Sequence, residues 1–146
     1  MSAGVCFPHV QTSLEANPQT DEIIRQQVWG VLVGIYPQGR VVERRLDQRF
    51  PYPHLLYLTP VGEDGITPQG DSVVVVGKTL SERGLGFYYQ QPICHRRMIA
   101  SLETSDLQWT GLLIDITWCR FTRYGWYDSG GRFIQAVASP MSRPVR

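Results

Sequence analysis

Three arginines, at positions 44, 45 and 49, stand within the ten-residue stretch RRLDQRFPYP at 44–53. A guanidinium is permanently charged and planar, so it donates two parallel hydrogen bonds to an oxyanion and stacks on an aromatic face. Pro51 and Pro53 keep the stretch out of helix and out of a central strand. Free of regular structure, Arg45 and Arg49 can wrap opposite sides of an anion, whereas on a helix residues four apart share one face. A second polar cluster follows in TLSERG at 79–84, where Thr79 and Ser81 carry hydroxyls and Gly84 has no side chain. Ser81 can bond a ligand or cap its own turn. Gly84 permits a positive φ or a close backbone approach.

Other chemistry finds weaker support. SVVVVGKT at 72–79 ends like a phosphate-binding P-loop, but Ser72 replaces the first glycine and four valines fill the loop interior. Consecutive valines hold extended strand and cannot curl their amides around phosphate. Cys94 and His95 are adjacent, which in a strand puts them on opposite faces, and neither Cys6, His9 nor Cys119 completes a zinc spacing with them. The expectation there is a buried thiol beside a surface histidine and no metal site. Ser81 and the scattered histidines form no triad spacing, so no catalytic residue is assigned and the chain reads as non-enzymatic. Trp109, Trp118, Phe121, Tyr124, Trp126, Tyr127 and Phe133 can stack on single-stranded nucleic acid, but are mostly expected in the core of a small β-domain.

The elements that must position these groups are legible in pattern. The chain has 146 residues, 42% of them hydrophobic, which suits one domain with its own core. Residues 1–19, with Pro8 and Pro18, read as a mobile tail; residues 20–39 read as a helix and linker. Thr20 can cap that helix, Ile24, Val28, Val31, Leu32 and Ile35 recur at helical spacing over 21–35, and Pro37 stops it. Gly30 and Gly34 weaken its last turns. From residue 50, runs at 54–58, 72–79, 85–89, 96–102, 112–123 and 132–137 are rich in Val, Ile, Tyr, Phe and Trp. Turn-forming stretches VGEDGITPQGD, SERG and YDSGG separate some of them, so six antiparallel strands in a small barrel or sandwich are expected, with no βαβ unit.

A formal charge of +1, with 18% charged residues, supplies no field for nucleic acid or an anionic membrane, so anion recognition must be local. Thirteen of the fourteen basic residues are arginine, a bias that codon usage alone also produces. No apolar run approaches the ~20 residues a membrane span requires. With no secretory pattern at its start and three unpaired cysteines, the chain is expected to be cytoplasmic.

Taken together, the arginine arm and the TLSERG turn resemble the PilZ family, receptors for the bacterial second messenger cyclic di-GMP. That family carries an RxxxR segment, often RRxxxR, followed after one strand by a [D/N]xSxxG turn. The resemblance extends over roughly residues 40–137 of an expected barrel domain at 40–146: Trp118-Cys119-Arg120 is similar to its late W-x-R strand, and Gly131-Arg132-Phe133 to its closing G-x-x-F strand, with shorter spacing. The resemblance implies a mainly β fold: a six-stranded antiparallel PilZ-like β-barrel with an N-terminal helix and a flexible arginine-bearing arm. It implies a non-enzymatic receptor that needs no cofactor, takes cyclic di-GMP as ligand and acts on a protein partner. Arg44, Arg45, Arg49, Thr79, Ser81 and Gly84 would line the site. Cyclic di-GMP has two phosphates and two guanines, which suits arginines that both pair and stack.

Thr79 departs from the family's Asp or Asn. Charge-assisted bonds from guanine N–H groups to Asp are worth about 1.5–3 kcal/mol. Losing one weakens binding roughly ten- to a hundredfold. Some PilZ-like domains lack ligand residues and serve as protein adaptors, which is the alternative here. A third reading, a barrel binding RNA or single strands, predicts steep salt dependence, and the near-neutral charge speaks against it.

Overall fold

The computed structural model describes residues 18–36 and 48–142. One helix, α1 (Pro18–Ile35), precedes seven strands: β1 (Phe50–Pro51), β2 (Leu55–Pro60), β3 (Val73–Leu80), β4 (Gly84–Tyr89), β5 (Arg97–Glu103), β6 (Trp109–Phe121) and β7 (Tyr127–Val137). The strands are antiparallel in the order β1-β3-β2-β5-β6-β7-β4, and β3–β4 pairing closes β2 to β7 into a six-stranded barrel with β1 outside it. The fold is therefore mainly β, a six-stranded antiparallel barrel with an N-terminal helix: of the barrel and the sandwich that the pattern of runs and turns leaves open, it is the barrel, as the resemblance implies. The seventh strand is Phe50–Pro51, paired with Leu80 and Thr79, and a proline is tolerated there because β1 is an edge.

Alternation along the strands separates core from wall. Phe50, Leu80, Leu85 and Ile116 lie in one cross-strand row, all buried, with Gly131 completing it. The residues one position away on every strand must then face outward, because successive side chains alternate sides.

Helix α1 lies against this barrel. Ile24, Val28, Val31 and Leu32 are buried in the same core cluster as the strands, and Ile35 packs against it, so the helical periodicity in the sequence marks the docked face. Full burial of each aliphatic side chain is worth about 1.5–3 kcal/mol, while an exposed ion pair contributes about 0–1 kcal/mol. Apolar burial thus holds the helix down, and its polar contacts set where it sits. Gly34 permits the approach of the β5–β6 turn, since a Cβ there would lie 2.8 Å from the Ser105 Cβ. Among the described residues, no helix is long and apolar enough to cross a membrane.

Several local expectations are corrected. Pro18 and Gln19 are helical, so the helix starts before Thr20, which lies inside its first turn and is not its cap; Pro18, having no N–H to leave unbonded, suits that start. The rest of the expected tail, residues 1–17, and the linker with Pro37 lie outside the described residues. YDSGG belongs to β7; the β6–β7 turn falls instead at 122–126, where Gly125 takes φ 81°. Cys94 and His95 lie in a loop with both side chains exposed, so Cys94 is no buried thiol. Of the seven late aromatics only Phe133 is buried, while Phe121 and Tyr124 are 63% and 80% exposed, on the part of β6, and the turn after it, that lies beyond the last pairing with β5 at Asp115.

Candidate functional site

The turn between β3 and β4 is built by Ser81. Its backbone N–H donates to the Gly84 carbonyl at 2.9 Å, and its hydroxyl accepts from the Arg83 and Gly84 N–H groups at 3.2 and 3.1 Å. The hydroxyl is also 3.4 Å from the Gly84 carbonyl, and the residue is buried. Ser81 thus shapes the turn from within. Gly84 is not among the positive-φ glycines. Its lack of a side chain serves close approach instead, since a Cβ would sit 2.2 Å from the Gly131 carbonyl oxygen.

Register brings the arm to this turn. Extending the Phe50–Leu80 pairing by one residue sets Arg49 opposite Ser81, and Arg49 is exposed. Arg44 and Arg45 lie outside the described residues. Thr79 belongs to the next outward row, which runs Pro51, Thr79, Gly86, Gly130, Trp118 across five strands. A Cβ on Gly86 would lie 2.9 Å from the Thr79 Oγ1, so that hydroxyl leans over bare backbone. The same glycines seat Trp118. A Cβ on Gly130 would fall 2.2 Å from its Cζ2, so the six-membered ring rests directly on the wall.

Asp128 fixes that ring and its neighbours. Its carboxylate accepts from the Lys78 Nζ at 2.9 Å, the Trp118 Nε1 at 3.4 Å and an Arg120 Nη at 3.5 Å. Burial opposes ionisation of this carboxyl, but the Lys78 and Trp118 bonds with the charges of Lys78 and Arg120 hold it below its ordinary range. The reciprocal bond from Asp128 raises the Lys78 pKa against the opposing effect of desolvation. The ammonium also sits 5.4 Å from the Tyr88 ring centroid. The Asp128 cluster is therefore electrically satisfied and holds Trp118 in place.

On the other side of the turn, Glu82 ties it to the helix. Its two carboxylate oxygens accept from the Arg25 Nε at 3.1 Å and the Trp29 Nε1 at 3.2 Å. Trp29 packs edge-on to Phe50, with ring centroids 5.6 Å apart, and the Tyr36 hydroxyl donates to the Pro51 carbonyl at 2.7 Å. Helix, arm base and turn therefore meet at one place.

Four of the six residues expected from sequence can be located, and Arg49, Thr79, Ser81 and Gly84 all converge on this turn. Sequence reading missed Glu82, Gly86, Gly130, Asp128 and Arg132. The alternation Gly84-Leu85-Gly86 was a usable signal, because glycines two apart around a buried leucine mark a wall with no outward side chains. Among the described residues, no group of three His, Cys, Asp or Glu residues could hold a metal ion. Comparison with protein-family models, with curated proteins and with solved structures finds no match to this chain.

Proposed function

We propose that the chain is a non-enzymatic receptor for cyclic di-GMP, held between the arginine arm and the β3–β4 turn. The observation that carries this reading is the strand register that sets Arg49 beside Ser81 and Gly84. An arm ending at the turn lets Arg45 and Arg49 close over a ligand lying on bare backbone, with Arg44 assisting or favouring a second ligand molecule. Ser81 and Gly84 form the barrel side of the site, Thr79 adds one hydroxyl, and the Trp118 ring offers a face for a guanine. Ligand that orders the arm also alters the junction with α1, which presents a changed surface to a protein partner. The resemblance to PilZ domains supports the same ligand and a cytoplasmic setting.

Titration calorimetry with cyclic di-GMP tests the proposal. Binding by the wild type and its loss in the Arg45→Ala/Arg49→Ala double variant are expected; absence of heat at high protein concentration, or unchanged heat in the variant, rejects it. Thr79→Asp should tighten binding by roughly tenfold, because it restores a charged acceptor for guanine N–H groups. Weaker binding in that variant would show that the placement of the turn motif on Thr79 is wrong.

The alternative is a PilZ-like adaptor that binds protein and no nucleotide. It is favoured by the Ser81 hydroxyl being engaged in its own turn and by threonine at position 79. A cyclic di-GMP titration without heat, together with a fixed partner co-purifying, would select it.

A further inference from the structure

We infer that Arg132 is a second clamp opposite Arg49 and makes the site selective for ligands with two phosphates over mononucleotides; this rests on the receptor reading above. The outward row beside the turn runs from Arg49 through Ser81 and Gly84 to Arg132 and then Asp115. Ser81 folds its side chain into the turn and Gly84 has none, so the two guanidiniums flank a strip of bare backbone. Three lateral steps of about 4.8 Å separate their Cα atoms by about 14 Å. Two arginine stems can reach inward from such a span, one to each phosphate of a dinucleotide, while a single phosphate engages only one of them.

Ion pairing distinguishes these two arginines from Lys78, Arg96 and Arg120 on the wall. Lys78 and Arg120 are paired with Asp128, and Arg96 holds the Asp115 carboxylate at 2.9 Å. Asp115, the cross-strand neighbour of Arg132, is therefore already ion-paired. Arg49 and Arg132 are exposed and have no ion pair among the described residues. A wall that neutralises its neighbouring cations and, among the described residues, leaves these two without an ion pair on either side of the Ser81–Gly84 pair has a place for a dianion. Arg132 thereby supplies from the barrel a charged contact that Thr79 does not.

The test is titration of the full chain with cyclic di-GMP and with GMP, using wild type, Arg132→Ala, Arg132→Lys and, as control, Arg123→Ala in the β6–β7 turn. Arg132→Ala should weaken cyclic di-GMP binding about tenfold or more while changing GMP binding less than about threefold. Arg132→Lys should recover only part of the loss, because an ammonium cannot form the two-pronged bond. Arg123→Ala should match the wild type. If the wild type binds cyclic di-GMP and Arg132→Ala binds it equally well, or loses both ligands alike, the clamp role falls and the receptor reading stands. If the wild type binds neither ligand, both fall.

Discussion

On β5 and β6 the outward residues Ile99, Ser101 and Leu113 are as buried as those facing the core, at 0, 0 and 2% exposure. On β4 and β7 the outward positions near the turn are instead Gly84, Gly86, Gly130 and the exposed Arg132. The first side is covered by the chain itself. Past β7 the backbone turns over Gly111, whose Cβ would lie 2.6 Å from the Val137 carbonyl oxygen and 2.8 Å from the Ser139 N, and the Ser139 and Ser101 hydroxyls meet at 2.7 Å. The second side has glycines beneath the Trp118 ring and, among the described residues, two arginines without an ion pair. Where a barrel wall is covered by its own chain, its outward residues contribute to stability; where side chains are withheld, the wall can accept something else.

Substitutions at the two sides should separate these contributions. The largest effect is expected at Gly131, on the inward row beneath the bare wall, where a Cβ would sit 1.9 Å from the backbone oxygen of Asp115. Backbone cannot yield as a flexible side chain does, so Gly131→Ala should cost about 3 kcal/mol or more in denaturant unfolding. A loss below about 1 kcal/mol would mean that β6 and β7 part more easily than their pairing suggests.

On the covered side, Ile99→Ala should cost about 2–4 kcal/mol, because it leaves a cavity in a fully buried site, and should leave ligand affinity unchanged. Reduced affinity in calorimetry would merge the two sides into one functional unit. Near the bare wall, Asp128→Asn should cost about 1–2 kcal/mol at neutral pH, since it weakens the acceptor shared by Lys78, Trp118 and Arg120. Because the native pKa of Asp128 lies below its unfolded value, this contribution is complete above about pH 4 and fades as pH falls through the native value. Unfolding curves of wild type and variant should therefore converge on acidification. A difference that persists at low pH would place its cause in packing and not in charge.

Much of the architecture was legible in the sequence. β-Branched and aromatic runs marked six of the seven strands, and the Ile24, Val28, Val31 and Leu32 spacing identified the docked face of α1. Boundaries were less legible where two rules competed. YDSGG has turn composition, yet Gly130 and Gly131 sit in strand because Trp118 and the Asp115 backbone press against them. Pro18 reads as a breaker and opens a helix, since only the helix interior excludes it.

The residue types were determined by the sequence alone: planar cations just ahead of a Phe-Pro-Tyr-Pro run, hydroxyls and a glycine in a turn, and a strand-forming alternation around them. Those depend on covalent chemistry and on periods of two and 3.6, which are local. Only the tertiary structure decided that Arg49 lies across from Ser81, that Gly84 serves close backbone approach and not a positive φ, and that Arg132 stands in the same row beyond Gly84. The physical reason is register. Which residues become neighbours across strands separated by tens of positions depends on how all the strands close together, and no segment carries that information by itself.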